Sequence, residues 1–474
     1  MGAAGGGDPN PAGEDLARIE TLAVLAQPLI WAGMGRRFPW ALIGLEAEAR
    51  IGWGIVAVLV LVCAMPAARW LRTTAERREA VRRYAVILVL LCPLLTAAFD
   101  FFSSRHFARF GYAPPGPLLA LDAAVLLGLA LWVRSPGEVF QAEGAWRPPI
   151  PPAGQGVMFA ALAAAAHRLG SVLLYPLDPR RSDMFEVIEK AARVFAAGGE
   201  PYVDTLSQGL KYLPGTFLSH VPAVLLGIDP RIPGALILLG IGLALAHSLR
   251  RAAAPRLGQA SLAELLTMLV LLNPYHAFRH DLYFDAFLAL TAAVFFLAAR
   301  GVPTRLGLVS MGVLVGLALA TRQWAWVYGP FALLAVAAAP ASRRGLSGRL
   351  GVAAGIAALV AAAIAVPFFL QDPPAFRRAL FAFVGENFSE ACLGVAGLAA
   401  ALGIARLLPL LQAVVCVAGF GRALRRPGAA IATGWLVWAA VVMLSPFLEN
   451  YFYLSLGFAA AASAVGGVRV IERT

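Results

Sequence analysis

At 474 residues, 60% hydrophobic and with a mean hydropathy of +0.74, the chain carries more apolar surface than a soluble fold can hide. Only 14% of it is charged, and the net +12 comes almost wholly from arginines in the connections between apolar runs; that pattern argues for orientation in a membrane and against nucleic-acid binding. The four cysteines show no CxxC or Cys/His ligand spacing, so neither a disulfide framework nor a zinc motif is indicated.

Residues 1–20 are rich in Gly, Ala, Pro and acidic residues, with no apolar core, and read as a disordered cytoplasmic tail rather than a signal peptide. Spans are then expected near 21–35, 51–68, 84–99, 117–133, 156–175, 233–248, 262–278, 284–299, 306–321, 324–340, 350–367, 407–421, 429–447 and 451–467. This is an all-α polytopic membrane protein of about 13–14 transmembrane helices. Residues 21–150 form an accessory set, and 151–474 form the core with its two long loops, 176–232 and 368–406.

Basic connections give the orientation. Arg69, Arg72, Arg77, Arg78, Arg82 and Arg83 make the first, and others carry Arg250, Arg251 and Arg256; Arg300 and Arg305; Arg343, Arg344 and Arg349; and Arg422, Arg425 and Arg426. All fall on one side if Pro214–Gly227 does not cross, and the positive-inside bias makes that side cytoplasmic. The loops 176–232 and 368–406 are then external, as are 100–116, 279–285 and the turn at Arg322. Charges gather at span ends, with Asp122, His247 and Glu264 as exceptions.

The loop 176–232 stands out because it holds both lysines of the chain, Lys190 and Lys211, among many other charges. Within it, 184–197 has helical spacing. Phe185, Ile188, Ala192 and Phe195 share an apolar face, and Glu186, Glu189, Lys190 and Arg193 share a polar one, the pattern of a helix lying in the interface. Asp183 and Glu186 have capping-box spacing; Gly198 and Gly199 stop the helix, and Pro201 should prevent its resumption. Pro214–Gly227, about 14 residues, is short for a crossing and reads as a second juxtamembrane helix.

Two readings stand for the main candidates. Asp183 is a helix N-cap or a general base at the membrane surface. Arg322 snorkels to the headgroups or serves as counter-ion to a lipid-linked phosphate, and Arg279, His280 and Asp281 share that ambiguity.

In order, the chain shows Asp183, Gly199-Glu200-Pro201-Tyr202, Tyr212-Leu213-Pro214, GLALATRQ at 316–323, PFFLQDPPAF at 367–376, GENFS at 385–389 and SPFLENYF at 445–452. Over about 156–467 this resembles the polyprenyl-phosphate-dependent GT-C glycosyltransferases, in particular their bacterial mannosyltransferase-like group. The chain departs from that pattern where Arg322 replaces a common Lys and Asn450-Tyr451 replaces a common His-Tyr pair.

The resemblance implies a GT-C-like fold in the bacterial inner (plasma) membrane. It implies transfer of a single sugar, mannose or similar, from a polyprenyl-phosphate donor to an extracytoplasmic glycan or lipid acceptor. Asp183 would be the catalytic base, and Arg322, Arg279, His280, Arg231, Lys211, Tyr212, Tyr202, Asn450 and Tyr451 the candidate substrate- and phosphate-binding residues. No acidic cluster in the sequence clearly demands a metal; the polyprenyl-phosphate sugar is the donor substrate, and a divalent metal is compatible with the reading but not indicated by it. The rival expectation is a lipid or polysaccharide transporter or flippase without transferase activity.

Overall fold

The computed structural model describes residues 18–27, 75–108, 116–134, 153–175, 185–204, 210, 212–252, 262–273, 285–339, 345–378, 399, 402–445 and 451–471. Among them there are helices and turns but no strand. The expected span at 51–68 lies outside the described residues. A first helix, α1 (18–27), begins inside the segment expected as a tail and buries Ile19, Leu22, Ala23 and Val24.

The long apolar runs form α2 (Ala75–Ala108), α3 (Gly116–Arg134) and α4 (Gln155–Leu174). Four short helices follow: α5 (Lys190–Ala196), entered through a π turn at Phe185–Glu189, then α6 (Pro201–Asp204), α7 (Pro214–Leu218) and α8 (Val221–Leu225). The bundle resumes with α9 (Arg231–Ala252), α10 (Leu262–Leu271), α11 (Asp285–Arg300), α12 (Arg305–Thr321), α13 (Ala325–Ala338) and α14 (Leu346–Gln371). It closes with α15 (Leu408–Arg425), α16 (Ala430–Met443) and α17 (Tyr451–Ile471). Among the described residues, five helical segments are long and apolar enough to cross a membrane: 80–98, 155–174, 231–251, 346–371 and 405–425; shorter apolar helices stand beside them. The chain is an all-α membrane protein.

Two layers of packing set the frame. α4 lies along α9, and α2, α3 and α10 gather around α4; α11 lies along α17, and α12, α13 and α16 follow. α10 touches both α4 and α17 and joins the halves. In lipid, helices gain little from burying apolar surface against one another, so close approach decides. Gly312 and Gly316 on α12 have that role: a Cβ would come within 2.8 Å of the Ala353 carbonyl and 2.7 Å of the Ala357 carbonyl on α14. The centre of the second half is aromatic. Tyr328 meets Trp438 with ring centroids 4.7 Å apart, and its hydroxyl pairs with that of Thr291 at 3.0 Å.

One end of the bundle carries the 176–232 loop, and three contacts define it. Arg231 at the start of α9 donates to the Tyr175 carbonyl just past α4; Thr216 of α7 donates to the Thr321 carbonyl ending α12; and Phe217 of α7 packs on Phe368 near the end of α14. At the opposite end lie the helix termini bearing Arg250, Arg251, Arg300, Arg305, Arg349, Arg422 and Arg425.

Pro214–Gly227 does not form one helix. It breaks at Ser219–His220 into α7 and α8, five residues each, too short to cross.

Candidate functional site

Within the stretch 184–197 expected as an interfacial helix, Phe185–Ala196 are helical, and Gly198, at φ 81°, ends the turn in the left-handed region. Two details differ from the expected pattern. Glu189, assigned to the polar face, is only 8% exposed, and it pairs with Arg193 one turn later, whose Nε and Nη2 lie 2.9 and 2.5 Å from its Oε1. Pro201 opens a further helical turn rather than preventing one, since its missing N–H is harmless at a first position; the Asp204 carboxylate then accepts from the Glu200 N–H at 3.0 Å.

α6 and α7 hold an aromatic node at the loop end. The Tyr202 ring meets Phe217, Phe368 and Phe376 edge-on at centroid separations of 6.0, 6.0 and 5.2 Å, and Phe195 closes on Phe217 and Phe368. The Tyr202 hydroxyl donates to the Tyr212 carbonyl at 2.8 Å. Burial pushes that phenol well above its ordinary pKa, so it remains a donor through the physiological range. Both tyrosines are therefore buried parts of the loop's own packing.

Arg322 lies directly under this node. It caps the C-terminal end of α12, with its backbone N–H on the Ala318 carbonyl at 3.0 Å. The side chain does not snorkel: it is 1% exposed, and its guanidinium carbon sits 4.1 Å from the centre of the Tyr212 ring. Beside it, Thr216 Oγ1 donates to the Thr321 carbonyl at 2.6 Å, and Gly215 lets α7 approach, since a Cβ there would fall 2.6 Å from Thr321 Oγ1. The loop is thus fastened onto the residue preceding Arg322.

Arg231 has a different occupation. Its guanidinium grips Asp229 through Nε and Nη2 at 2.9 and 2.6 Å, and it donates to the Tyr175 and Val172 carbonyls at 2.8 and 3.4 Å. Those are the exposed carbonyls at the end of α4, where a cation also complements the helix dipole. Arg231 ties the loop's exit to its entrance.

Asp183, Lys211, Arg279, His280, Asp281 and Asn450 lie outside the described residues; Tyr451 opens α17, its side chain not described.

The helices also hold ionisable residues that sequence reasoning missed. Arg168 on α4 pairs with Asp285, the first residue of α11, both side chains almost fully buried at 4% and 6% exposure. His167 on α4 meets Asp100 of α2 and Asp122 of α3, all three buried. The expectation that charges keep to span ends therefore fails for His167 and Arg168, which lie within α4, whereas Asp122 within α3 is one of its named exceptions. Glu264, in contrast, accepts from the Gly154 and Gly156 N–H groups at 3.0 and 3.2 Å and caps the start of α4. The one sequence signal was the His-Arg pair inside an alanine-rich span, a costly placement that needs partners.

No family model, curated protein or solved structure matches the chain.

Proposed function

We propose that the protein is a GT-C-type glycosyltransferase of about 13–14 transmembrane helices, moving one sugar, mannose or similar, from a polyprenyl-phosphate donor to a glycan or lipid acceptor. The site faces the extracytoplasmic side of a bacterial inner membrane. The observation that carries the reading is Arg322: a desolvated guanidinium at the loop end of the bundle, stacked on Tyr212 and adjoining the anchored loop.

Charge grows on the departing phosphate as the bond from the anomeric carbon to the phosphate oxygen breaks, and a cation held in a low-dielectric site acts on that charge more strongly than one in water. Asp183, two residues before the Phe185 turn, takes the proton of the acceptor hydroxyl as its oxygen bonds to the anomeric carbon, and the phosphate leaves with the electron pair.

The test separates base from cap. Asparagine caps a helix about as well as aspartate but accepts no proton, so Asp183→Asn should fold and bind donor lipid yet lose about 10²–10⁴-fold in transfer. Near-normal turnover by that variant would remove Asp183 from the mechanism.

A second reading, a lipid or polysaccharide transporter, draws support from the buried His167, Asp100 and Asp122 cluster, because ionisable groups inside a helix bundle are a transporter feature. It expects substrate movement without sugar transfer.

A further inference from the structure

The Asp100, Asp122 and His167 cluster is not used by the proposed transfer. Its residues come from three different helices, α2, α3 and α4, and converge well inside the bundle. Asp122 lies six residues into α3 and His167 seven residues before the end of α4, so both sit about 10 Å from the loop end at 1.5 Å per residue. One possible donor atom from each of the three lies within 4.8 Å of the others. His167 Nε2 is 2.7 Å from Asp100 Oδ2 and 3.7 Å from Asp122 Oδ1.

Two further observations point to a ligand. Asp122 is 4% exposed, and among the described residues its Oδ2 has no hydrogen-bond partner. A buried carboxylate oxygen without a partner is costly and calls for a cation or water. Asp122 and His167 also line a cavity of about 30 Å³ together with Thr96 and Asn273, which is room for a water or an ion.

We propose that this cluster is a divalent transition-metal site, with Zn²⁺ or Mn²⁺ as the fitting class. One imidazole nitrogen with two carboxylate oxygens suits such ions. Calcium would require six or more oxygens, and copper(I) would require sulfur. The charge also fits: two carboxylates and a neutral imidazole carry two negative charges, which a dication cancels inside a low-dielectric bundle.

Tetrahedral ligands about 2.1 Å from a zinc stand about 3.4 Å apart, so the nitrogen–oxygen pairs open by about 0.7 Å and close by about 0.3 Å, within a side-chain adjustment. Asn273, two residues past α10, lines the same cavity, which has room for a water to complete the shell. The ion would tie α2 and α3, which precede the proposed transferase core, to α4, the helix that leads into the 176–232 loop.

The experiment uses the full chain in nanodiscs, stripped with a chelator and titrated with Zn²⁺ alone, with metal content per chain read by mass spectrometry and thermal unfolding read in parallel. Wild type should hold one ion per chain and unfold at higher temperature when loaded. Asp122→Asn, nearly isosteric, should weaken binding by at least about 100-fold, since loss of even an outer-shell partner costs 10–100-fold, and should abolish the thermal shift. Should that variant not fold, Co²⁺ in the wild type decides: a tetrahedral visible spectrum that changes in His167→Gln supports the site. Wild type without a stoichiometric ion, or a folded Asp122→Asn that binds as wild type does, overturns the proposal. None of these readouts involves sugar transfer, so this site and the transferase reading fail separately.

Discussion

The pair Arg168 and Asp285 gives the sharpest test of how the two halves of the bundle are joined. Both side chains are nearly excluded from solvent, and α9 passes so close that a Cβ on Gly234 would lie 2.1 Å from Asp285 Oδ2. Replacing Asp285 with Leu leaves the guanidinium buried without its counter-charge, and loss of one partner from such a pair destabilises by about 3–5 kcal/mol. Replacing both, as Arg168→Met with Asp285→Leu, removes the desolvated charges together and should return close to wild-type stability. Gly234→Ala should cost about 1–3 kcal/mol by crowding the carboxylate, and much less in an Asp285→Ala background, where the crowded atoms are gone. Reversible unfolding in mixed micelles measures these variants beside the wild type. If the single and double replacements lose equal stability, or the Gly234→Ala cost is the same in both backgrounds, the two residues are not a buried pair beside α9.

Other outcomes follow from the loop end. Cysteines at the exposed positions Glu200 and Gln371 should label from outside with an impermeant reagent, while one at Arg77 should not; labelling at Arg77 in intact cells would reverse the orientation. Arg322→Ala should lose most transfer activity and Arg322→Lys should keep part of it, because a phosphate needs the charge more than the planar fork; transfer by the Ala variant at wild-type rate would move the phosphate site elsewhere, with Arg279 the next candidate. Gly215→Ala pushes α7 off Thr321 and the Ala320 carbonyl, which stand 2.6 and 2.9 Å from the new Cβ, and costs about 1–3 kcal/mol. Amide exchange over 214–225 should quicken in that variant, and an unchanged pattern there would mean that the loop is not fastened through α7.

The helices were the legible part of the chain. α4 was expected at 156–175 and runs Gln155–Leu174; α12 was expected at 306–321 and runs Arg305–Thr321. The agreement has a physical cause: lipid demands long apolar stretches with self-satisfied backbones, and both leave a local mark on composition. What depends on pairing across the chain was not legible. Arg322 stands at a span end, where snorkelling is the ordinary outcome, and only the packing of Tyr212, 110 residues earlier, shows it buried. Nothing local in the sequence shows that Arg231 reaches the end of α4, 56 residues earlier. His167 carries no spacing that points to Asp100, which lies 67 residues before it on another helix. Glu189 was assigned outward by periodicity, which cannot see how the helix packs once the chain has folded.

The most direct measurement of the central claim is sugar transfer by the purified protein itself. The chain is reconstituted in nanodiscs with a radiolabelled polyprenyl-phosphate sugar and an extract of envelope glycans and lipids, and the label is followed from donor to acceptor. The account requires label in an acceptor with stoichiometric release of polyprenyl phosphate, reduced about 10²–10⁴-fold by Asp183→Asn. An intact donor lipid that crosses the bilayer of a proteoliposome, with no label transferred, would contradict it and favour the transporter.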